Sequence, residues 1–489
     1  MMSEYNAKKI KSANDEWEII IGLEVHAQII TNLKLFSNGA AEFRKEANHK
    51  LDLLDIGLPG TLPVINRMAV DQAIKTGLAL NATINKRSIF DRKNYFYPDL
   101  PLGYQISQFK DPIVSEGFIN IDISDSKTKT IKIERLHLEQ DAGKSLHDQS
   151  PDKTFIDYNR AGVALMEIVS YPDLSDWEEA GNYLTKLRSI LRFVNTCDGN
   201  MEEGSLRCDA NVSVRKPNEP LGTRCEIKNL NSIKNLMKAI EYEATRQVTV
   251  LEGGNKIIQE TRLFDTNSGK TKTMRSKEEA HDYRYFPDPD LLPLELTDKR
   301  IEDISKTLPE LPDDLKIRLL NQYGLSAYDA RVISSDQGTT EYFEVLSNNR
   351  DAKQAANWII TNLFGKLNDS GKSIKDSPID AKELGKLLDL INKQIISNKI
   401  AKEVFEEMFV SGKTAENIIE KKGLKQISNT DEIEGIVDKI ISSNESQKIQ
   451  YQSGNSKVLG WFVGQVMKET KGQANPSVVN KVIIEKLKK

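Results

Sequence analysis

Glu24 and His26 stand two residues apart inside the apolar run Ile19–Ile30, so on an extended strand both side chains leave the same face. A carboxylate beside an imidazole suits a divalent cation, because carboxylate oxygens are natural magnesium ligands and an imidazole can complete or support the set. A single His or Glu in a strand is ordinarily a hydrogen-bonded surface or core group, so the pair alone does not define a site. More weight comes from the other charged groups on apolar frames: Glu139 after His137, Glu167 within Val163–Val169, and Glu202, Glu203, Arg207 and Asp209. Burying carboxylates costs on the order of several kcal/mol each unless cations or a metal neutralise them. Such a set is either spread over solvated faces or gathered around a metal-bearing cleft, and spacing leaves both open.

Phosphate-binding patterns point away from an ordinary P-loop. Gly-Lys-Ser or Gly-Lys-Thr occurs at Gly143, Gly269, Gly371 and Gly412. The position five residues earlier, where a Walker A loop needs its first glycine, holds Leu138, Phe264, Lys366 and Glu407. Cations on strands, such as Arg92, Lys93, Arg207 and Lys228, are the alternative holders of a nucleotide's phosphates, although each taken singly reads as surface charge. No Gly-Ser-rich nucleophile signature and no cysteine–histidine motif is present, so glutamine hydrolysis is not expected of this chain.

The elements that must carry these groups follow from periodicity. From Glu18 to about Pro293 the pattern alternates with period two between short turn signals, predicting a large, mainly antiparallel sheet. Ile131–Asp141 puts Arg135, His137, Glu139 and Asp141 on one side and Leu136 and Leu138 on the other. Leu206–Arg215 repeats this, with Leu206, Cys208, Ala210, Val212 and Val214 inward and Arg207, Asp209, Asn211, Ser213 and Arg215 opposite. Helical patterns over Asp176–Phe193 and Ser232–Gln247 make the class α+β. Beyond Pro287, Pro289 and Pro293 the spacing becomes helical, and Pro312 with Asp313 and Asp314 opens a helix. A Gly-, Lys-, Ser- and Asp-rich link over Gly365–Asp380 precedes the stripe Leu384, Leu387, Leu388, Ile391, Ile395 and Ile396. Leu459, Phe462, Val463, Val466 and Met467 share a later helical face, followed by a loop at Lys471–Ala474 and a helix capped by Asn475 and Pro476. These changes divide the chain into a sheet domain, 1–295, a helical domain, 296–411, and a helical tail, 412–489. No internal repeat or low-complexity segment interrupts them.

The 489 residues, 38% apolar and 29% charged, fit two or three packed domains. No apolar run approaches the roughly 20 residues of a bilayer span, and the polar start lacks a secretory pattern, so no membrane association and a cytoplasmic location are expected. Cys197, Cys208 and Cys225 form no CxxC pair and read as buried thiols. The net charge of −4 is unevenly shared: residues 413–489 hold 13 Lys and 9 Asp plus Glu, a net of +4, leaving −8 for the rest. A basic end domain could supply phosphate contacts to a nucleic acid, or simply be a solvated surface.

Longer motifs narrow the reading. FDRKNYFYPDLPLGYQIS at Phe90–Ser107 closely resembles the signature of the B subunit of aspartyl/glutamyl-tRNA amidotransferases. GLEVHAQI at Gly22–Ile29, GLPGTLPVIN at Gly57–Asn66, RLHLEQDAGKS at Arg135–Ser145 and MEEGSLRCDANVSVR at Met201–Arg215 resemble the same family. EIKNLNS at Glu226–Ser232, DYRYFPDPD at Asp282–Asp290 and KGQANP at Lys471–Pro476 extend the match over essentially the whole chain. The resemblance implies a cradle-shaped catalytic domain, a helical domain and a tail that grips tRNA. It further implies a ligase, one component of a heterotrimer in which the A subunit releases ammonia from glutamine and a small C subunit wraps the interface. The B subunit would use ATP and magnesium to phosphorylate the side-chain carboxylate of Glu-tRNA(Gln) and/or Asp-tRNA(Asn), and ammonia would displace the phosphate to give Gln-tRNA(Gln) or Asn-tRNA(Asn).

Carried onto this sequence, the resemblance assigns Glu24, His26, Glu139 and Glu167 to the magnesium and catalytic site, and Lys93, Arg207 and Asp209 to nucleotide or substrate binding. The chain departs from the family in two places. Where many members carry four zinc-binding cysteines, it holds Ser37, Gly39, Asp52 and Asp55, so no zinc is expected and the stiffness of residues 37–55 is in question. Gln140 stands where a further acid is common, which removes that side chain from the implied metal set.

Overall fold

The computed structural model describes residues 9–11, 15–42, 46–124, 127–147, 149–276, 282–424, 430–470, 474 and 476–487. The chain divides into two compact units, Met1–Asp314 and Leu315–Lys489.

In the first unit the strand Glu16–Gln28 carries strict alternation into structure: Trp17, Ile19, Ile21, Leu23, Val25 and Ala27 are buried, and the residues between them are at least partly open. It lies in the middle of a ten-stranded sheet. On one side it pairs with Leu206–Arg215, followed by Cys225–Leu230, Glu260–Asp265 and Lys270–Ser276. On the other it pairs with Ala164–Ser170, then Lys127–Gln140, Val114–Ser124 and the short Thr83–Ile84. Among the described pairings only Cys225–Leu230 with Glu260–Asp265 is parallel. The apolar face is covered by helices Trp177–Phe193 and Ile233–Glu252, whose Tyr183, Leu184, Leu187, Leu236 and Ile240 join one core with the strand side chains. Both helices begin where the pattern places them. The Asp176 side chain accepts from Glu178 N–H, and the Ser232 side chain accepts from Asn235 N–H.

Two smaller features belong to the same unit. A three-stranded sheet of Asp91–Asn94, Tyr104–Ser107 and Phe286–Pro287 lies against the end of Lys127–Gln140, where Gln105 Nε2 donates to the Gln140 carbonyl at 2.8 Å. Helix Asp298–Ser305 also belongs here, tied to helix Arg67–Ala79 by Arg300 Nη2 at 2.7 Å from an Asp71 carboxylate oxygen.

The regular elements described in the second unit are all helices, and the helix Pro312–Tyr323, which crosses the division after Asp314, opens with the expected proline and acids. The Gly365–Asp380 link is more ordered than its composition suggests. A π-helical stretch, Trp358–Leu363, runs directly into helix Phe364–Asp369, with Trp358, Ile359, Leu363 and Leu367 buried, and a 3-10 turn follows at Ile374–Asp376. Apolar packing through Leu363 and Leu367 keeps the chain helical despite Gly365. The following helix covers Ala381–Asn392, so Ile395 and Ile396 lie beyond its end. Gly412, at φ 65°, ends Asn398–Ser411 in a left-handed conformation favourable to glycine. Helices Thr430–Ser442, Lys457–Glu469 and Pro476–Leu487 share a core of Ile433, Val437, Phe462, Val466, Val479 and Ile483. The loop residues Lys471–Gln473 and the cap Asn475 lie outside the described residues. No described helix is long and apolar enough to cross a membrane.

Candidate metal and nucleotide site

The polar face of the central strands forms the floor of the site. Antiparallel register sets Arg207, His26, Glu167 and His137 side by side across four neighbouring strands. One step along, Asp209 lies opposite Glu24. Because directly opposed residues project to the same face, acids far apart in the chain become neighbours without any loop having to deliver them.

The four residues Glu24, His26, Glu139 and Glu167 therefore meet. His26 Nε2 is 3.3 Å from Glu167 Oε2, 3.6 Å from Glu139 Oε1 and 3.9 Å from Glu24 Oε1. Ligand-capable atoms of His26, Glu139 and Glu167 lie within 4.8 Å of one another, as do those of Glu24, His26 and Asp209. His137, paired in position with Glu139 along its own strand but not singled out from the sequence, closes the basin: its Nε2 is 3.3 Å from Glu167 Oε2 and 3.6 Å from Glu139 Oε2. The available signal was the two-residue spacing that puts both on one face. Ser107 was also missed; its hydroxyl donates to Glu139 Oε2 at 3.2 Å.

The electrostatics follow from crowding acids around two imidazoles. Burial by itself lowers the pKa of His26, but the hydrogen bond and charge of Glu167, with the charges of Glu139 and Glu24, raise it to about 9. His137 is likewise raised to about 9 against the effect of burial, chiefly by Glu167 and Glu139. Glu167 is held well below the usual carboxylate range despite burial, by His137 and His26. Glu139 is also lowered, since the two histidines outweigh burial and the charge of Glu167. Glu24 goes the other way, to about 7, through burial and the nearby Glu167 charge. Two imidazolium groups thus balance Glu139 and Glu167, and a small cation bound here would take the place of their protons.

The cations surround it unequally. Burial disfavours the charged form of Lys93, yet Glu139, Tyr285, Glu167 and Tyr95 raise its pKa and keep it an ammonium. Its Nζ stands 4.9 Å from the ring centre of Tyr283, close enough for a cation–π contact. Arg207 Nη2 donates to Asp141 Oδ2 at 2.9 Å, and its Nε is buried without a partner. Asp209 sits at a register irregularity between its strand and Cys225–Leu230, and accepts from Lys228 Nζ at 2.6 Å. Arg92 is committed elsewhere, to Asp288 at 2.9 Å and Asp290 at 2.7 Å. Glu202 and Glu203 lie in the turn before Leu206–Arg215 and are exposed. Beside Glu24 opens a cleft of about 700 Å³, lined in part by Arg135, Asn211, Ser213, Arg224 and Tyr283.

A broad antiparallel sheet with an acid–imidazole basin on one face and a helical unit following it defines the class: residues 19–302 match the family model of the GatB/GatE catalytic domain, and residues 341–487 match that of the GatB domain. Full-length similarity is equally direct. The aspartyl/glutamyl-tRNA(Asn/Gln) amidotransferase B subunit from Methylorubrum populi is 56% identical over 480 residues, covering 98% of both chains. The corresponding B subunit from Rhodospirillum rubrum is 56% identical over 483 residues, covering 98% of this chain and 99% of its own. That from Rhizobium meliloti is 56% identical, covering 98% and 96%. The chain belongs to the family of aspartyl/glutamyl-tRNA(Asn/Gln) amidotransferase B subunits, and is thus one component of a ligase-type amidotransferase.

Proposed function

We propose that this chain is the carboxylate-activating subunit: it phosphorylates the side-chain carboxylate of Glu-tRNA(Gln) and/or Asp-tRNA(Asn) with ATP, and the activated acyl group is then amidated. One observation carries the reading, the convergence of Glu24, His26, Glu139 and Glu167 on one sheet face. Their donor set of carboxylate oxygens and one imidazole suits Mg²⁺. When bound, the ion would neutralise charge on the nucleotide phosphates and on the substrate carboxylate. Lys93, kept protonated beside Glu139 and Glu167, would orient the γ-phosphate or the carboxylate. Arg207, held by Asp141 yet with a free Nε, is the second positioning cation, and Asp209 fixes Lys228 in the same role. The 700 Å³ cleft beside Glu24 is large enough for a nucleotide or the aminoacylated end of a tRNA.

A substrate carboxylate oxygen attacks the γ-phosphorus, and the bond to the ADP oxygen breaks. Ammonia then attacks the carbonyl carbon, a C–N bond forms, inorganic phosphate departs with its C–O electron pair, and the proton lost by the nitrogen goes to that phosphate. Since the substrate is the nucleophile, no side chain has to be activated as one. Ammonia would come from an A subunit with glutaminase activity, with a small C subunit completing the complex in the cytoplasm. A noncatalytic tRNA adaptor would have no need to gather three buried or half-buried carboxylates around two histidines.

Glu139→Ala tests the reading in the assembled complex with labelled ATP and Glu-tRNA. ATP turnover that depends on Glu-tRNA should fall at least about a hundredfold, and unchanged turnover would remove Glu139 from the mechanism. For the basic tail, Lys457, Lys468 and Lys481 are exposed. Replacing all three by Gln should weaken tRNA binding and flatten its salt dependence by roughly one logarithmic unit of slope for each phosphate no longer neutralised. The same slope in the variant would rule out these lysines as tRNA contacts.

A further inference from the structure

Lys34 is among the largest fully buried side chains of the described structure, with no exposed surface. Its ammonium faces Asp55, whose side chain is also buried, with Nζ 2.8 Å from Oδ2. The same carboxylate accepts from Ser37 Oγ at 2.7 Å and from Asp52 N–H at 2.9 Å. Asp52 is engaged in its own turn, accepting from Leu54 N–H at 3.0 Å. The loop also closes through its backbone, Lys34 N–H donating to the Gly39 carbonyl at 2.9 Å.

Two glycines approach this pair closely. A Cβ on Gly39 would come within 2.5 Å of Asp55 Oδ2 and 3.0 Å of Lys34 Cδ, and one on Gly162 within 2.8 Å of Asp55 Oδ1. Gly162 is bound from both sides, its carbonyl accepting from Leu35 N–H and its N–H donating to the Asp141 carbonyl, each at 2.9 Å. The pair thus packs onto the segment that leads to Asp141, the partner of Arg207.

The family resemblance implies a zinc-binding cysteine quartet at the positions that here hold Ser37, Gly39, Asp52 and Asp55, and these four residues do not fit a structural zinc ion. Structural zinc sites are built from thiolate and imidazole donors. Here one position has no side chain, one offers a hydroxyl, the two carboxylates are already hydrogen-bonded, and the Lys34 ammonium is paired with one of them. We infer that Lys34 is the built-in cation of this loop, so that the Lys34–Asp55–Ser37 cluster ties the segment 34–39 to the turn 52–55 and requires no metal ion.

The full-length chain tests this in two independent arms. In the first, purified protein is assayed for bound metal by mass spectrometry and melted with and without EDTA, magnesium being restored in excess. The expected result is substoichiometric zinc and an unchanged melting temperature; stoichiometric zinc, or a melting temperature lost to EDTA and regained with zinc, would overturn the inference. In the second, Lys34→Met keeps the aliphatic stem and removes the charge, leaving Asp55 buried and uncompensated. Its melting temperature should fall by roughly 10 °C, and Lys34→Met with Asp55→Leu should lose less than the two single changes together. A Lys34→Met protein as stable as the parent would show that the ammonium is dispensable. If that variant does not fold, Asp55→Asn, which preserves shape, supplies the same comparison.

Discussion

Glu167→Ala should lower tRNA-dependent ATP turnover by about a thousandfold, with a much smaller change in tRNA affinity. Glu167 Oε2 is 3.3 Å from both His26 Nε2 and His137 Nε2, so one carboxylate oxygen holds the two imidazoles together. Its removal takes away the strongest charge that keeps both histidines protonated and shrinks the acid set available to a cation. Glu167→Gln separates charge from shape. The amide still fills the space, but cannot neutralise an imidazolium or bind a magnesium ion with a formal charge. Turnover should therefore fall almost as far in Glu167→Gln as in Glu167→Ala, whereas tRNA affinity, measured by filter binding, should stay within a few-fold of the parent. Full activity in the amide variant would mean that Glu167 serves packing only.

Glu243→Ala should destabilise the first unit by about 3–5 kcal/mol. Glu243 is fully buried on helix Ile233–Glu252. It accepts from Arg246 at 2.6 and 3.0 Å, from Gln247 at 2.9 Å and from Thr271 Oγ1 at 2.8 Å, and lies 3.3 Å from Arg262 Nε. That network fastens the helix to strands Glu260–Asp265 and Lys270–Ser276, and truncation leaves buried arginine and threonine donors without their acceptor. The pH dependence follows from the direction of its shift. Burial opposes ionisation, but the hydrogen bonds from Arg246 and Gln247 win and lower the pKa. A carboxyl lowered on folding contributes stability that is present above its unfolded pKa, about 4.3, and is lost as pH falls through the folded value. The stability gap between parent and Glu243→Gln, from urea melts, should accordingly be widest near pH 6 and narrow towards about pH 3. A gap independent of pH would contradict the assignment.

What could be read from the residues, and what could not, divides along the range of the interactions. The alternation through Ile19–Gln28, the outward Arg207, Asp209, Asn211 and Arg215 of Leu206–Arg215 and the helices starting near Asp176 and Ser232 are local, and each is found in the structure where the pattern puts it, whereas Ser213 of the same strand face is buried. Strand order is not local. Nothing in the spacing says that Glu16–Gln28 lies between Leu206–Arg215 and Ala164–Ser170, and it is that order which turns separate acids into one basin. His137 was placed on the same face as Glu139 but not assigned to the site, because only the strand order brings Glu167 opposite it. Lys34 escaped for a different reason: lysine in a polar loop reads as solvated charge, and only the folded chain reveals an acid and two glycines shaped around it. The helix at Phe364–Asp369 was hidden by composition, Gly365 and the lysines masking the apolar spacing of Leu363 and Leu367.

Carboxylate activation by this chain requires the acid–imidazole basin to hold a divalent cation. The most direct measurement is a crystal of the chain, in its complex, grown with Mn²⁺ and an ATP analogue and recorded near the manganese absorption edge. An anomalous peak within about 2.5 Å of His26 and of carboxylate oxygens from Glu139 and Glu167 is the predicted result. A nucleotide bound with its manganese elsewhere, and His26 Nε2 still 3.3 Å from Glu167 Oε2, would contradict it.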